Sequence, residues 1–320
     1  MNGVDVGDEN LLFPPRYYAK LLPVVMKHIL AFFLVLTLPV TAAESYTIQL
    51  HRPSKPGAEF RVNLDGRMKT ESKQKFGDTE SGDTEQWQAR LKGTVKIGKV
   101  NETGNPTELR ITVDSFQLTE GKFTDEAVEK GGVLRARYVK DEAEFEYLDV
   151  ESGLGVPVRA GNLKDALKLL FSLGGKTTDD KIFGTAQKQK VGSTWKIDPK
   201  SVAASAKEDK VIVDPKNVTG EMKITKAVKV AGADCLEMSG VFKVTGVKPP
   251  QRFPRNLRVV KSEMVGKFFT QLPVDLKAPR LHSRSEMAME MEVNGPGGLR
   301  VSMRRQSTLI RKTTPLPAKP

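Results

Sequence analysis

The chain has 320 residues, 38% hydrophobic and 28% charged, with 27 Gly, 19 Pro, one Cys and a net charge of +12. These proportions exclude wholesale disorder, collagen-like repetition and a disulfide-built scaffold, and the length accommodates about two domains.

The first informative segment is Ile29–Leu38, reading ILAFFLVLTL. It falls well short of the ~20 apolar residues that span a bilayer as a helix. Ile29, Leu30, Phe32, Phe33, Leu34, Leu36 and Leu38 supply its apolar content. Lys27 precedes it, and Thr41-Ala42-Ala43 follows. That is the order of a secretory signal. Residues 1–43 are therefore read as an upstream extension plus signal peptide, cleaved after Ala42 or Ala43, and Met26 would begin a signal of ordinary proportions. The expected location is secreted or periplasmic, in the cell envelope, with no transmembrane helix in the mature chain. Cys235 has no partner for an intramolecular disulfide, so the core alone must stabilise the chain, and Cys235 reads as a structural strand residue.

Further along, apolar and polar residues alternate. Phe60, Val62, Leu64 and Met68 interleave with Arg61, Asn63, Asp65 and Arg67, and Trp87, Ala89, Leu91, Val95 and Ile97 with Gln88, Arg90, Lys92, Thr94 and Lys96. A period of two marks antiparallel strands with one wet face, and places both Trp87 and, later, Trp195 among buried residues. Residues 93–113 and 220–240 repeat a strand-turn-strand unit at a constant offset, with Gly93, Lys96, Ile97, Lys99 and Leu109 matching Gly220, Lys223, Ile224, Lys226 and Leu236. A duplication would imply two similar β modules. Glu142, Glu144 and Glu146 share one strand face, suited to Arg135 and Arg137 across a hairpin.

Residues 163–173 carry Leu163, Ala166, Leu167, Leu170 and Leu173 at helical spacing, with Asn162 as the expected cap and Gly174-Gly175 as the stop. A second short helix is expected from Thr178-Asp179-Asp180 through Phe183, and one or two helical turns over 201–207. The stretch TDDKIFGTAQKQKVGSTWKID, residues 178–198, resembles a segment of uncharacterised secreted bacterial β-rich proteins with a Val-Gly-x-x-Trp order. More distantly, a curved antiparallel sheet crossed by helices resembles the periplasmic lipoprotein-carrier half-barrel class. The resemblance implies an envelope protein and no catalytic residues.

Residues 247–256, VKPPQRFPRN, cannot form regular structure. Within it and just beyond, Arg252, Arg255, Arg258 and Lys261 recur every third residue, which aligns them along extended proline-rich chain, and Phe253 stands beside them. These five are the candidate binding residues. Met287, Met289, Met291 and Val293 then alternate with Glu286, Glu290 and Glu292, and Leu299, Val301 and Met303 with Arg300, Ser302 and Arg304. The methionine row is expected in the core. Asn294–Gly298 reads as the hairpin loop between them, and the Pro-rich tail from Thr313 as frayed.

The expected fold is mainly β with a few short helices (α+β), built of antiparallel sheets as two tandem β modules or a curved half-barrel. Residues 44–160 form the first module, and 161–320 the second, basic module, with a helical insert at about 161–190. The first holds 18 basic against 21 acidic residues, the second 30 against 15. Such a one-sided field favours anionic partners. Anionic lipid, a cell-wall polymer or an envelope protein fits, whereas export argues against nucleic acid. His51 and His282 are the only mature histidines. No spacing suggests a metal site, a cofactor or a nucleophile. The leading expectation is a non-catalytic protein binding an anionic or amphipathic envelope ligand. A scaffold or accessory subunit with a protein partner comes second and an unrecognised hydrolase third.

Overall fold

The computed structural model describes residues 44–149, 151–159, 161–208, 211–248 and 256–316. The apolar leader segment at 29–38 lies outside them. A short strand, β1 (Ser45–Tyr46), precedes a first meander of β2 (Glu59–Phe76), β3 (Thr79–Val100), β4 (Pro106–Glu120), β5 (Phe123–Val128), β6 (Val133–Val139), β7 (Glu142–Leu148) and β8 (Gly155–Pro157). Three helices follow: α1 (Asn162–Leu170), α2 (Asp179–Phe183) and α3 (Pro199–Glu208). Between α2 and α3 lie β9 (Gln189–Lys190) and β10 (Thr194–Lys196). A second meander runs through β11 (Val218–Val230), β12 (Ala233–Thr245), β13 (Arg258–Pro273), β14 (His282–Asn294) and β15 (Arg300–Pro315).

The two meanders make one antiparallel sheet, ordered β10-β11-β12-β13-β14-β15-β2-β3-β4-β6-β7-β8, with β5 on β4 and a separate β1–β9 pair. The last strand lies beside the first long one, from Arg300 opposite Lys75 to Pro315 opposite Phe60. The sheet stays open, with β10 and β8 as its edges, and is a curved half-barrel crossed on its inner face by the helices.

Strand parity decides which face is inner. Val62, Leu64 and Met68 of β2 and Trp87, Ala89, Leu91, Val95 and Ile97 of β3 are buried, as their alternation requires. The opposite positions carry charge. Lys96 pairs with Glu59 at 3.1 Å, Lys243 with Glu263 at 2.8 Å, and Glu146 receives both Arg135 and Arg137 at 2.5 and 2.6 Å. A lipid-facing band would be apolar at these positions, so the outer face is built for water. No helix among the described residues is long and apolar enough to cross a membrane.

Two core clusters fill the inner face. One joins β2, β3, β4, β6 and β7 to α1 through Leu64, Leu91, Ile111, Phe116, Leu134, Leu167 and Leu170. The other joins β11 and β12 to α3 and residues 48–50 through Met222, Ile224, Met238, Val202 and Leu50. Helix α1 buries Ala166, Leu167 and Leu170 on one face. It lies directly over β2 at Gly66, where an added Cβ would stand 3.0 Å from Leu170 Cδ2.

Four local expectations are corrected. The α1 cap is Gly161, at φ 130° in a region that favours glycine, and Asn162 is the first helical residue. Helix α1 stops at Leu170, and Leu173 is buried beyond it. The terminal carbonyl of Leu170 is taken up by Arg311 Nη2 at 2.8 Å. The tail is held to Pro315 by its ladder with β2, not frayed from Thr313. Trp195 is half-buried, because β10 is an edge strand; its Nε1 donates to Phe183 O at 2.9 Å.

Candidate ligand face

The strand registers place inward residues in rows across the middle of the sheet. Phe242, Gly266, Met287, Ser307, Met68 and Trp87 form one row, and Met264, Met289, Arg305 and Thr70 the next. Ser262, Met291, Met303 and Ser72 form a third. The methionines expected in the core are not in it. Met287 is 36% exposed, Met264, Met289, Met291 and Met303 are half-buried, and Val293 alone of that strand face is buried. Helix α1 packs on β2, β3 and β7, and α3 on β11, so the middle strands fall between two helical covers.

One wall of this face is aromatic. Phe183, at the end of α2, packs at a tilt against Phe268 with centroids 4.7 Å apart and against Phe242 at 6.0 Å. Two glycines make room for the rings: a Cβ on Gly240 would collide with Phe268, and one on Gly266 with Phe242.

Arg305 breaks the apolar pattern of the same face. It is exposed and donates through Nε to Met68 Sδ, and it makes no ion pair among the described residues. The nearest inward carboxylates, Glu85 and Asp83, sit one strand further on, opposite Thr70 and Ser72. A weakly hydrated guanidinium beside a soft apolar surface suits an anionic group attached to an apolar chain.

Of the candidate binding residues, Arg252, Phe253 and Arg255 lie outside the described residues. Arg258 and Lys261 are exposed at the start of β13. A bulge between Val259 and Lys261 sets Arg258 opposite Asn294 and Lys261 opposite Glu292. Asn294 and Glu292 share the outer parity of β14, so the bulge puts both cations on the outer face despite their spacing. Lys261 lies 4.0 Å from Glu290 and 3.8 Å from Glu292.

His51 Nε2 meets Thr103 O at 2.7 Å in a loop network. His282 stacks edge-on against Phe269 at 5.8 Å. Burial lowers the His282 pKa, Lys312 adds to this, and Glu237 opposes it. Cys235 is buried in β12, and burial raises its thiol pKa. Burial also pushes the Arg311 guanidinium down to about 10, which leaves it protonated at neutral pH. Among the described residues, no three His, Cys, Asp or Glu come together as a metal site.

Sequence reasoning found the methionine row but not Arg305 or Met264. The available clue was parity: Leu299, Val301 and Met303 put residue 305 on the same face, and an arginine there interrupts an inward row.

No family model matches this chain. No curated protein matches it. Solved structures with some likeness include a DUF1329 family protein from Desulfovibrio piger, 9% identical over 75% of this chain and 83% of that one, at a TM-score of 0.20. A putative outer membrane lipoprotein-sorting protein domain from Vibrio parahaemolyticus is 8% identical over 75% and 83%, at 0.18. The outer membrane protein OprG from Pseudomonas aeruginosa is 6% identical over 83% and 100%, at 0.16. Scores this low decide neither fold nor function.

Proposed function

We propose that this is a non-catalytic cell-envelope protein that binds an amphipathic anion on the inner face of its half-barrel. The acyl chain lies on Met264, Met287, Met289, Met291 and Met303, and the acidic head meets Arg305. The observation that carries this reading is a half-exposed methionine surface with an unpaired arginine on it. Contiguous exposed apolar surface marks a binding site, and methionine suits ligands of variable shape. Export, read from the leader at 29–38, belongs to the same proposal.

The test is a fluorescence titration with a long-chain fatty-acid probe. Arg305→Gln should weaken it about tenfold, the order expected for losing a charge-assisted hydrogen bond. A probe with a neutral head should bind parent and variant alike. Equal binding of the acid by both would remove the headgroup assignment.

The basic stripe adds adhesion to anionic lipid or cell-wall polymer. Each cation near an anionic surface contributes roughly 1 kcal/mol, screened within ~8 Å at physiological salt. Lys261 is already set between two glutamates, so Arg258 and the arginines at 252 and 255 would carry it. Co-sedimentation of the parent with anionic vesicles at low salt, lost on changing all four cations to Gln, is the expected result. A second reading, a subunit with a protein partner, draws on Leu154, just before edge strand β8, and Val156 within it, which are 70% and 63% exposed.

A further inference from the structure

We infer that four of these methionines form a site for a soft monovalent metal ion, Cu(I) or its analogue Ag(I). The register makes Met264 the direct partner of Met289, and Met291 the direct partner of Met303. Met289 and Met291 alternate along β14, so all four side chains leave the same face of three adjacent strands. Directly opposed residues of an antiparallel pair have Cβ atoms roughly 4.5–5.5 Å apart. The three side-chain torsions of methionine allow four thioethers to meet over one point. Backbone ladders fix where those side chains start.

Three features favour an ion there. All four methionines are half-buried, so the site is reachable yet partly desolvated. Thioether sulfur selects Cu(I) over hard cations, and the carboxylates of these strands, Glu263, Glu286, Glu290 and Glu292, occupy outward positions and offer a hard cation nothing on this face. Arg305 is a direct partner of Met289, but its Nε lies on Met68 Sδ, toward β2 and away from Met291 and Met303. Met222 and Met238 are fully buried in the second core cluster and serve as internal comparators.

The site does not depend on the amphipathic reading, and titrating the parent separately with the ion and with the fatty-acid probe distinguishes the two. Leucine in place of methionine keeps apolar surface and volume but removes the sulfur. The full chain is titrated with Ag(I), and with Cu(I) under ascorbate against a bicinchoninate competitor. The expected result is one ion per chain, with Zn(II) failing to compete. Met291→Leu with Met303→Leu should weaken binding on the order of 100-fold, tenfold for each sulfur lost. Circular dichroism and a thermal melt confirm that the variant is folded. Failure of the parent to take the ion from the competitor would overturn the assignment. So would unchanged affinity in the leucine variant, or a loss seen only when Met222 or Met238 is replaced. A parent that takes up the ion but does not bind the fatty-acid probe would count against the amphipathic ligand and leave the metal site standing.

Discussion

Trp87 ends the row that begins at Phe242 and passes through Gly266, Met287 and Met68, and it is 5% exposed. Removing a buried indole costs about 3–5 kcal/mol, so Trp87→Ala should lower the melting temperature sharply. Trp195→Ala should cost less, because that residue is only half-buried and β10 is an edge strand among the described residues. Equal effects in thermal melts would contradict this ranking. Gly266 offers a second comparison. Any Cβ there meets the Phe242 ring, itself packed against Phe183, so Gly266→Ala should cost about 1–3 kcal/mol through forced repacking. A melt unchanged from the parent would show that the ring moves freely. At this scale the sequence was informative about parity and silent about cover. Alternation correctly put Trp87 inward. It put Met287 and Met289 on the same face, yet could not show where the helices of 162–208 would land.

Elements of this fold are set by local rules that tertiary pairing then adjusts. Helix α3 begins after Asp198, whose Oδ2 accepts from Ser201 Oγ at 2.7 Å and whose Oδ1 accepts from Lys200 N at 3.0 Å. The Ser201 bond is the main reason its carboxyl is held below the usual range, with the Lys200 backbone bond and charge assisting. A carboxyl depressed in the folded state stabilises it fully at neutral pH and loses that contribution as pH falls through the depressed value. Asp198→Ala should therefore cost about 1 kcal/mol at pH 7, with the difference from the parent shrinking on acidification. Melts at pH 7 and pH 3 check this; a constant difference would contradict it. The helical segment was legible because apolar residues recur there at helical spacing, whereas its cap is Gly161 and it stops at Leu170, short of Gly174-Gly175. The Arg258 and Lys261 spacing was misleading as geometry. It reads as polyproline edge, whereas the described part is a β13 strand whose bulge turns both residues outward. No local pattern announces a bulge.

Across the whole molecule, the join of β15 to β2 decides the architecture. It makes one sheet of two meanders and leaves the middle strands between two helical covers. Neighbouring meanders were legible from alternation, but the order that brings residues 300–315 beside 60–75 was not, since it is fixed by a ladder between the two ends of the described chain. That ladder runs between the two core clusters, so the two-module division is proposed as a division of cores within one cooperative unit. Calorimetry should give a single transition; two separated transitions would show independent modules. The charge imbalance follows the same division, with the excess in β9–β15 and the helices. The proposed ligand lays its acyl chain on the inner methionine face. Trp87 borders that face through Met68, while Trp195 lies at the far edge of the sheet. In a Trp195→Phe background, a bromine-labelled fatty acid should quench Trp87 fluorescence saturably, and Arg305→Gln should shift the titration to higher concentration. A labelled acid that binds with Trp87 unquenched, while quenching Trp195 in the parent, would place the ligand elsewhere and contradict the account.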